Sequence, residues 1–66
     1  MQIFVNGEER EVPDDYRMAT LIDSLDLAGQ RIAVEVNEEL VPRSTFESHT
    51  LQPGDNIEIV NAIGGG

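Results

Sequence analysis

The stretch Met1-Gln2-Ile3-Phe4-Val5-Asn6-Gly7-Glu8-Glu9-Arg10-Glu11-Val12 decides the fold. Ile3 and Val5 alternate with Gln2 and Phe4, the period of a half-buried strand. Asn6-Gly7 is the dipeptide best suited to a two-residue hairpin turn, so Glu9 to Val12 returns as a second strand. Pro13-Asp14-Asp15 then breaks the sheet. Further on, Leu21, Ile22 and Leu25 make an apolar stripe at helical spacing. Thr20 reads as its N-cap, Asp23 as an acidic first-turn residue and Gly29 as its stop.

A β-branched run, Ile32 to Val36, follows as a third strand. Asn37-Glu38-Glu39 turns it into a short strand at Leu40-Val41, which Pro42 ends. Ser44-x-x-Glu47 has the form of a capping box and predicts a single helical or 3₁₀ turn holding Phe46. Gln52-Pro53-Gly54-Asp55 is turn chemistry, and Asn56 to Val60 alternates as the last strand. Two hairpins and one helix bury their apolar faces only by packing the helix across one face of the sheet, which is a two-layer α+β domain. The expected core is Ile3, Val5, Leu21, Ile22, Leu25, Val34, Val36, Ile57 and Ile59.

Composition narrows what such a domain can do. The 66 residues have room for one small domain, with 39% apolar and 26% charged residues, ordinary for a folded chain. The absence of cysteine excludes disulfides, thiolate chemistry and a Cys-based zinc site. Four arginines (Arg10, Arg17, Arg31 and Arg43), no lysine and thirteen acidic residues give a net charge of −9. Such a surface repels phosphate backbones and anionic lipid, so neither nucleic acid nor membrane is an expected partner. A basic protein surface is attracted instead. No apolar run approaches the ~18 residues of a membrane span, and no signal peptide opens the chain, which reads as cytoplasmic.

The side chains offer no catalytic constellation. Glu8-Glu9, Asp14-Asp15 and Glu38-Glu39 sit in turns, where nothing desolvates one member of a pair and separates the two pKa values. His49 is the only histidine and lacks partners for a metal site or a triad. Ser24, Ser44 and Ser48 read as helix-surface and capping residues. The chain is therefore not expected to be an enzyme, to bind a metal or to hold a cofactor.

The end of the chain is the unusual element. Ile63-Gly64-Gly65-Gly66 follows directly on a well-patterned strand. Glycine endings are often frayed tails or added linkers. Glycines also thread a narrow channel where any Cβ would clash, and residues 62–66 reach roughly 17 Å when extended. That geometry suits a carboxylate carried into another protein's active site while the domain stays outside.

The run Val36-Asn37-x-x-x-Val41-Pro42-Arg43, then Leu51-x-x-Gly54-Asp55-x-Ile57-Glu58-Ile59-Val60, then the glycine terminus, resembles the ThiS family, the sulfur carrier proteins of thiamine biosynthesis. The likeness covers nearly the whole chain. Met1-Gln2-Ile3-Phe4-Val5 also matches the opening of ubiquitin, although ubiquitin and the molybdopterin sulfur carriers are longer. The implied fold is a ubiquitin-like β-grasp, a mixed sheet of roughly four or five strands on one helix. Its first and last strands lie side by side. Residues 1–62 would form the domain and residues 63–66 a flexible tail.

The resemblance also implies a mechanism. An E1-like enzyme would adenylate the Gly66 carboxylate with ATP, and persulfide sulfur from a cysteine desulfurase or rhodanese-type relay would displace AMP. Thiazole synthase would then take the sulfur from the Gly66 thiocarboxylate. Gly64 and Gly65 would be the threading segment. Strand alternation places Phe4, Glu58, Val60 and Ala62 on the sheet face away from the helix. Phe4, Val60 and Ala62 are expected to form one exposed apolar docking patch, with Ile63 anchoring the tail and acidic residues on the rim. A β-grasp sulfur carrier for molybdopterin or another sulfur-containing metabolite, or a ubiquitin-like binding module or modifier, is the alternative.

Overall fold

Asn6 and Gly7 take φ of 50° and 83°, the left-handed pair of a type I′ turn, whose twist matches that of the flanking strands. The turn joins β1 (Gln2–Val5) to β2 (Glu8–Glu11) in antiparallel register, Ile3 opposite Arg10 and Phe4 opposite Glu9. After the helix α1 (Met18–Ser24), β3 (Ile32–Val36) runs through a second tight turn into β4 (Glu39–Leu40). A 3₁₀ turn (Arg43–Thr45) precedes β5 (Asn56–Asn61). The computed structural model describes residues 1–61. The expected docking residues Ala62 and Ile63 and the glycines Gly64, Gly65 and Gly66 lie outside the described residues.

The sheet order is β2-β1-β5-β3-β4, with β1 and β5 parallel and the other pairs antiparallel. The first and last strands are thus neighbours, and β5 is central. This is the mixed sheet on one helix expected of a ubiquitin-like β-grasp. A type II turn leads into β5: the Asp55 N–H donates to the Gln52 carbonyl (3.1 Å), with Pro53 and then Gly54 (φ 82°) between them. The Phe4 N–H donates to the Asp55 carbonyl (2.9 Å), so the same turn fixes where β5 enters the sheet.

The expected core residues are all buried except Leu25, which is half-buried. Val12, Met18, Val41, Phe46 and Leu51 join them. Met18, Leu21 and Leu51 come from the helix and its neighbouring loop and are almost fully withdrawn from water against Ile3, Val34 and Ile57 of the sheet.

The helix begins earlier than its sequence suggests. Thr20 is an exposed residue inside α1 and not its N-cap; Arg17 holds that position, with no side-chain cap bond and no acidic first-turn residue. The first free N–H groups are satisfied from far along the chain. Met18 donates to the His49 carbonyl and Ala19 to the Phe46 carbonyl, both at 2.9 Å. The stop also differs: Gly29 lies beyond the helix end. Asp26 takes the left-handed position (φ 58°), and its N–H donates to the Asp23 carbonyl (3.0 Å) while the Leu27 N–H donates to the Ile22 carbonyl (3.1 Å). That is a Schellman motif, with half-buried Leu27 packed against the core.

The 3₁₀ turn holds Phe46 in the core as expected, but not through a capping box. Pro42 is its N-cap without a side-chain bond, and Thr45 Oγ1 donates back to the Pro42 carbonyl (2.8 Å). Strand bounds shift by about one residue at β2 and β4, where pairing rather than hydropathy sets the ends.

Candidate functional site

The helix covers one face of the sheet and leaves the other bare. Alternation from the buried residues puts Gln2 and Phe4 (β1), Glu9 and Glu11 (β2), Ala33 and Glu35 (β3), Leu40 (β4) and Asn56, Glu58 and Val60 (β5) on the bare face. Three expected docking residues, Phe4, Glu58 and Val60, are therefore on the same side.

They do not form the single apolar patch expected. Phe4 is half-buried rather than exposed, and its register partners are Glu9 and Asn56. Val60 lies four positions further along the strand direction, about 13 Å away, opposite Ala33. Glu58 falls between them on the central strand, directly opposite Glu35. Alternation within one strand is legible in a sequence, but the alignment of one strand against the next is not, and the patch depended on it. The exposed large apolar side chains among the described residues are Val60, at 57%, and Leu40, at 68%. Leu40 escapes sequence reasoning because its strand is two residues long and carries no period. It sits opposite Glu35.

Polar side chains of the turns brace the central strand from both flanks. The Asn6 N–H donates to the Ile57 carbonyl, and Asn6 Oδ1 accepts the Ile59 N–H, each at 2.8 Å. This continues the β1–β5 ladder beyond the end of β1. On the other flank Asn37 Oδ1 accepts the Asn56 N–H (3.0 Å), while Asn37 Nδ2 donates to Asp55 Oδ1 (3.0 Å). Asp55 is 8% exposed, and its Oδ2 accepts the Gln52 N–H (2.8 Å). The clasp of Asn37, Gln52 and Asp55 gives the Asn37 and Gly54-Asp55 parts of the sequence motif a structural role: they hold the start of the strand that leads to the glycines.

The remaining candidates stay apart. His49 is half-buried, and its carbonyl serves the helix N-terminus. Ser24 Oγ donates to the Leu21 carbonyl (2.7 Å) and Ser48 Oγ to the Thr45 carbonyl (3.2 Å); Ser44 is exposed. Among the described residues no group of three His, Cys, Asp or Glu side chains is placed to hold a metal ion, and no helix is long and apolar enough to cross a membrane.

What the geometry offers is a bare sheet face and a central strand running toward a glycine end. A family model described as the ThiS family matches residues 3–66. The chain belongs to the ThiS family. The sulfur carrier protein ThiS of Escherichia coli (strain K12) is 30% identical over 66 residues, covering 100% of both proteins. A crystal structure of a thiamine biosynthesis protein, ThiS, from Geobacter metallireducens superposes with a TM-score of 0.85 at 30% identity, covering 100% of both chains. A protein named thiazole synthase from Paramagnetospirillum magneticum is 38% identical over 66 residues. This ThiS chain spans 20% of that relative's length. Over these residues the chain is a ThiS-family domain of the same length as the Escherichia coli carrier.

Proposed function

We propose that this protein is the sulfur carrier of thiamine biosynthesis and that Gly66 is its chemical site. An E1-like enzyme attacks the α-phosphorus of ATP with the Gly66 carboxylate, releasing pyrophosphate and leaving an acyl-adenylate. This mixed anhydride turns a poor electrophile into a reactive one. A persulfide sulfur delivered from a cysteine desulfurase then attacks the acyl carbon and AMP departs. Cleavage of the S–S bond by a second thiol leaves a thiocarboxylate on Gly66. Thiazole synthase takes that sulfur for the thiazole ring and returns the carboxylate. ATP and the catalytic side chains belong to the partners, and the chain itself needs no cofactor.

The observation that carries this reading is the family match through the glycines at residues 64–66, on a chain that aligns end to end with the Escherichia coli carrier. Its likeness to a region of a thiazole synthase favours the thiazole branch over a molybdopterin carrier. In this reading residues 1–62 are the handle, Gly64 and Gly65 thread the partner's channel, and Ile63 and Ala62 lie at its mouth. The bare face with Phe4, Glu58 and Val60 docks the partner, and the exchange takes place in the cytoplasm. Intact-mass analysis of the protein isolated from its own thiamine-starved, sulfur-replete cells tests it. The expected result is a subpopulation heavier by the sulfur-for-oxygen difference, mapped to the C-terminal peptide. A single unmodified species would overturn the proposal.

A further inference from the structure

On the bare face two of the four glutamates, Glu35 and Glu58, meet on the inner strands β3 and β5 with the exposed apolar residues Leu40 and Val60 beside them, while Glu9 and Glu11 lie on the edge strand β2. Protein interfaces usually bury an apolar centre inside a polar rim. Here Glu58 stands on the middle strand with Glu35 opposite it, both exposed. Directly opposite residues of an antiparallel pair hold their Cα atoms about 4.5–5.5 Å apart. Two like charges so placed destabilise the free sheet. Neither has an ion-pair partner among the described residues, and the one strand arginine, Arg10, is paired with core-facing Ile3. Leu40, beside Glu35 on the outer strand, and Val60, diagonal to it, supply the apolar flanks.

A partner that covered this face with apolar groups alone would strip water from two unpaired carboxylates, at a cost apolar contact does not recover. The chemistry calls for one cation. A guanidinium fits better than an ammonium, because its planar fork presents donors to both carboxylates at once and is weakly hydrated. The methylene stem of an arginine packs well between Leu40 and Val60.

Resting on the carrier reading above, we propose that Glu35 and Glu58 form the seat for a single arginine of the thiazole synthase, clamped between Leu40 and Val60. The seat has a signature that a merely structural role lacks: neutralising it makes the free protein more stable and the complex weaker.

The test is binding to the cognate thiazole synthase, by calorimetry at two salt concentrations, alongside thermal melts. The double variant Glu35→Gln, Glu58→Gln is expected to melt about 2–5 °C higher. It is also expected to bind at least about tenfold more weakly, with a flatter salt dependence. Leu40→Ala and Val60→Ala are expected to weaken binding while folding normally. If the double variant binds as tightly as the parent while Leu40→Ala and Val60→Ala weaken binding, the face docks the enzyme and the arginine seat is wrong. If none of these variants changes affinity, the face is not the docking surface. Failure of the parent protein to bind at all would sink the carrier reading instead.

Discussion

Asn6 and Asn37 open two tight turns of the same hand, and each reaches back with its carboxamide to the central strand. The turns differ at their second position. Gly7 takes φ of 83° without penalty, whereas Glu38 is held at 71°, where a Cβ crowds the backbone. Glu38→Gly is therefore expected to stabilise the fold by about 0.5–1 kcal/mol, a gain visible as a higher melting temperature. Asp55 lies at the other extreme. Its carboxylate serves a backbone N–H and an amide in a nearly buried position, and Asp55→Ala leaves both donors without it. A loss of about 2–4 kcal/mol in urea unfolding is expected. The first turn was legible in the sequence because Asn-Gly encodes its own dihedral angles. The clasp was not, since nothing local ties Asp55 to Asn37, 18 residues away.

At the scale of elements, the strands were readable and the helix ends were not, for one physical reason. Alternation is a property of a strand alone, so β1, β3 and β5 emerge within about one residue from hydropathy. The start of α1 is fixed instead by carbonyls of Phe46 and His49, which are brought to it only by the finished fold. Thr20 carries the chemistry of a cap and stands one turn too late to act as one. Thr20→Ala separates the two descriptions. Loss of an N-cap costs about 1 kcal/mol, whereas removing a β-branched residue from an exposed helix interior gains a few tenths, up to about 0.6 kcal/mol. The expected outcome in a thermal melt is the small gain. The candidate site was legible to the same extent: the face of each strand could be read, but the register that interposes Glu58 and Glu35 between Phe4 and Val60 could not.

Across the whole molecule, charge acts as a diffuse repulsion that no single contact carries. A net −9 on 66 residues is self-repelling, and the ion pairs among the described residues are those of the Met1 ammonium with Glu11 and Asp14, each at 3.7 Å. Added salt screens the repulsion and has few attractions to weaken. The melting temperature is thus expected to rise by several degrees between about 10 mM and 150 mM sodium chloride; a fall would mean that attractive pairs outweigh repulsion. The placement of β5 has a mechanical consequence. It is bonded to β1 on one side and β3 on the other, and side chains of both adjoining turns hold its backbone. Tension applied beyond Asn61 runs along this strand and loads the hydrogen bonds of both ladders together, in shear, instead of peeling them open one by one. A partner that grips and draws on that end pulls against the strongest direction of the sheet, so the handle stays folded while its far end is worked.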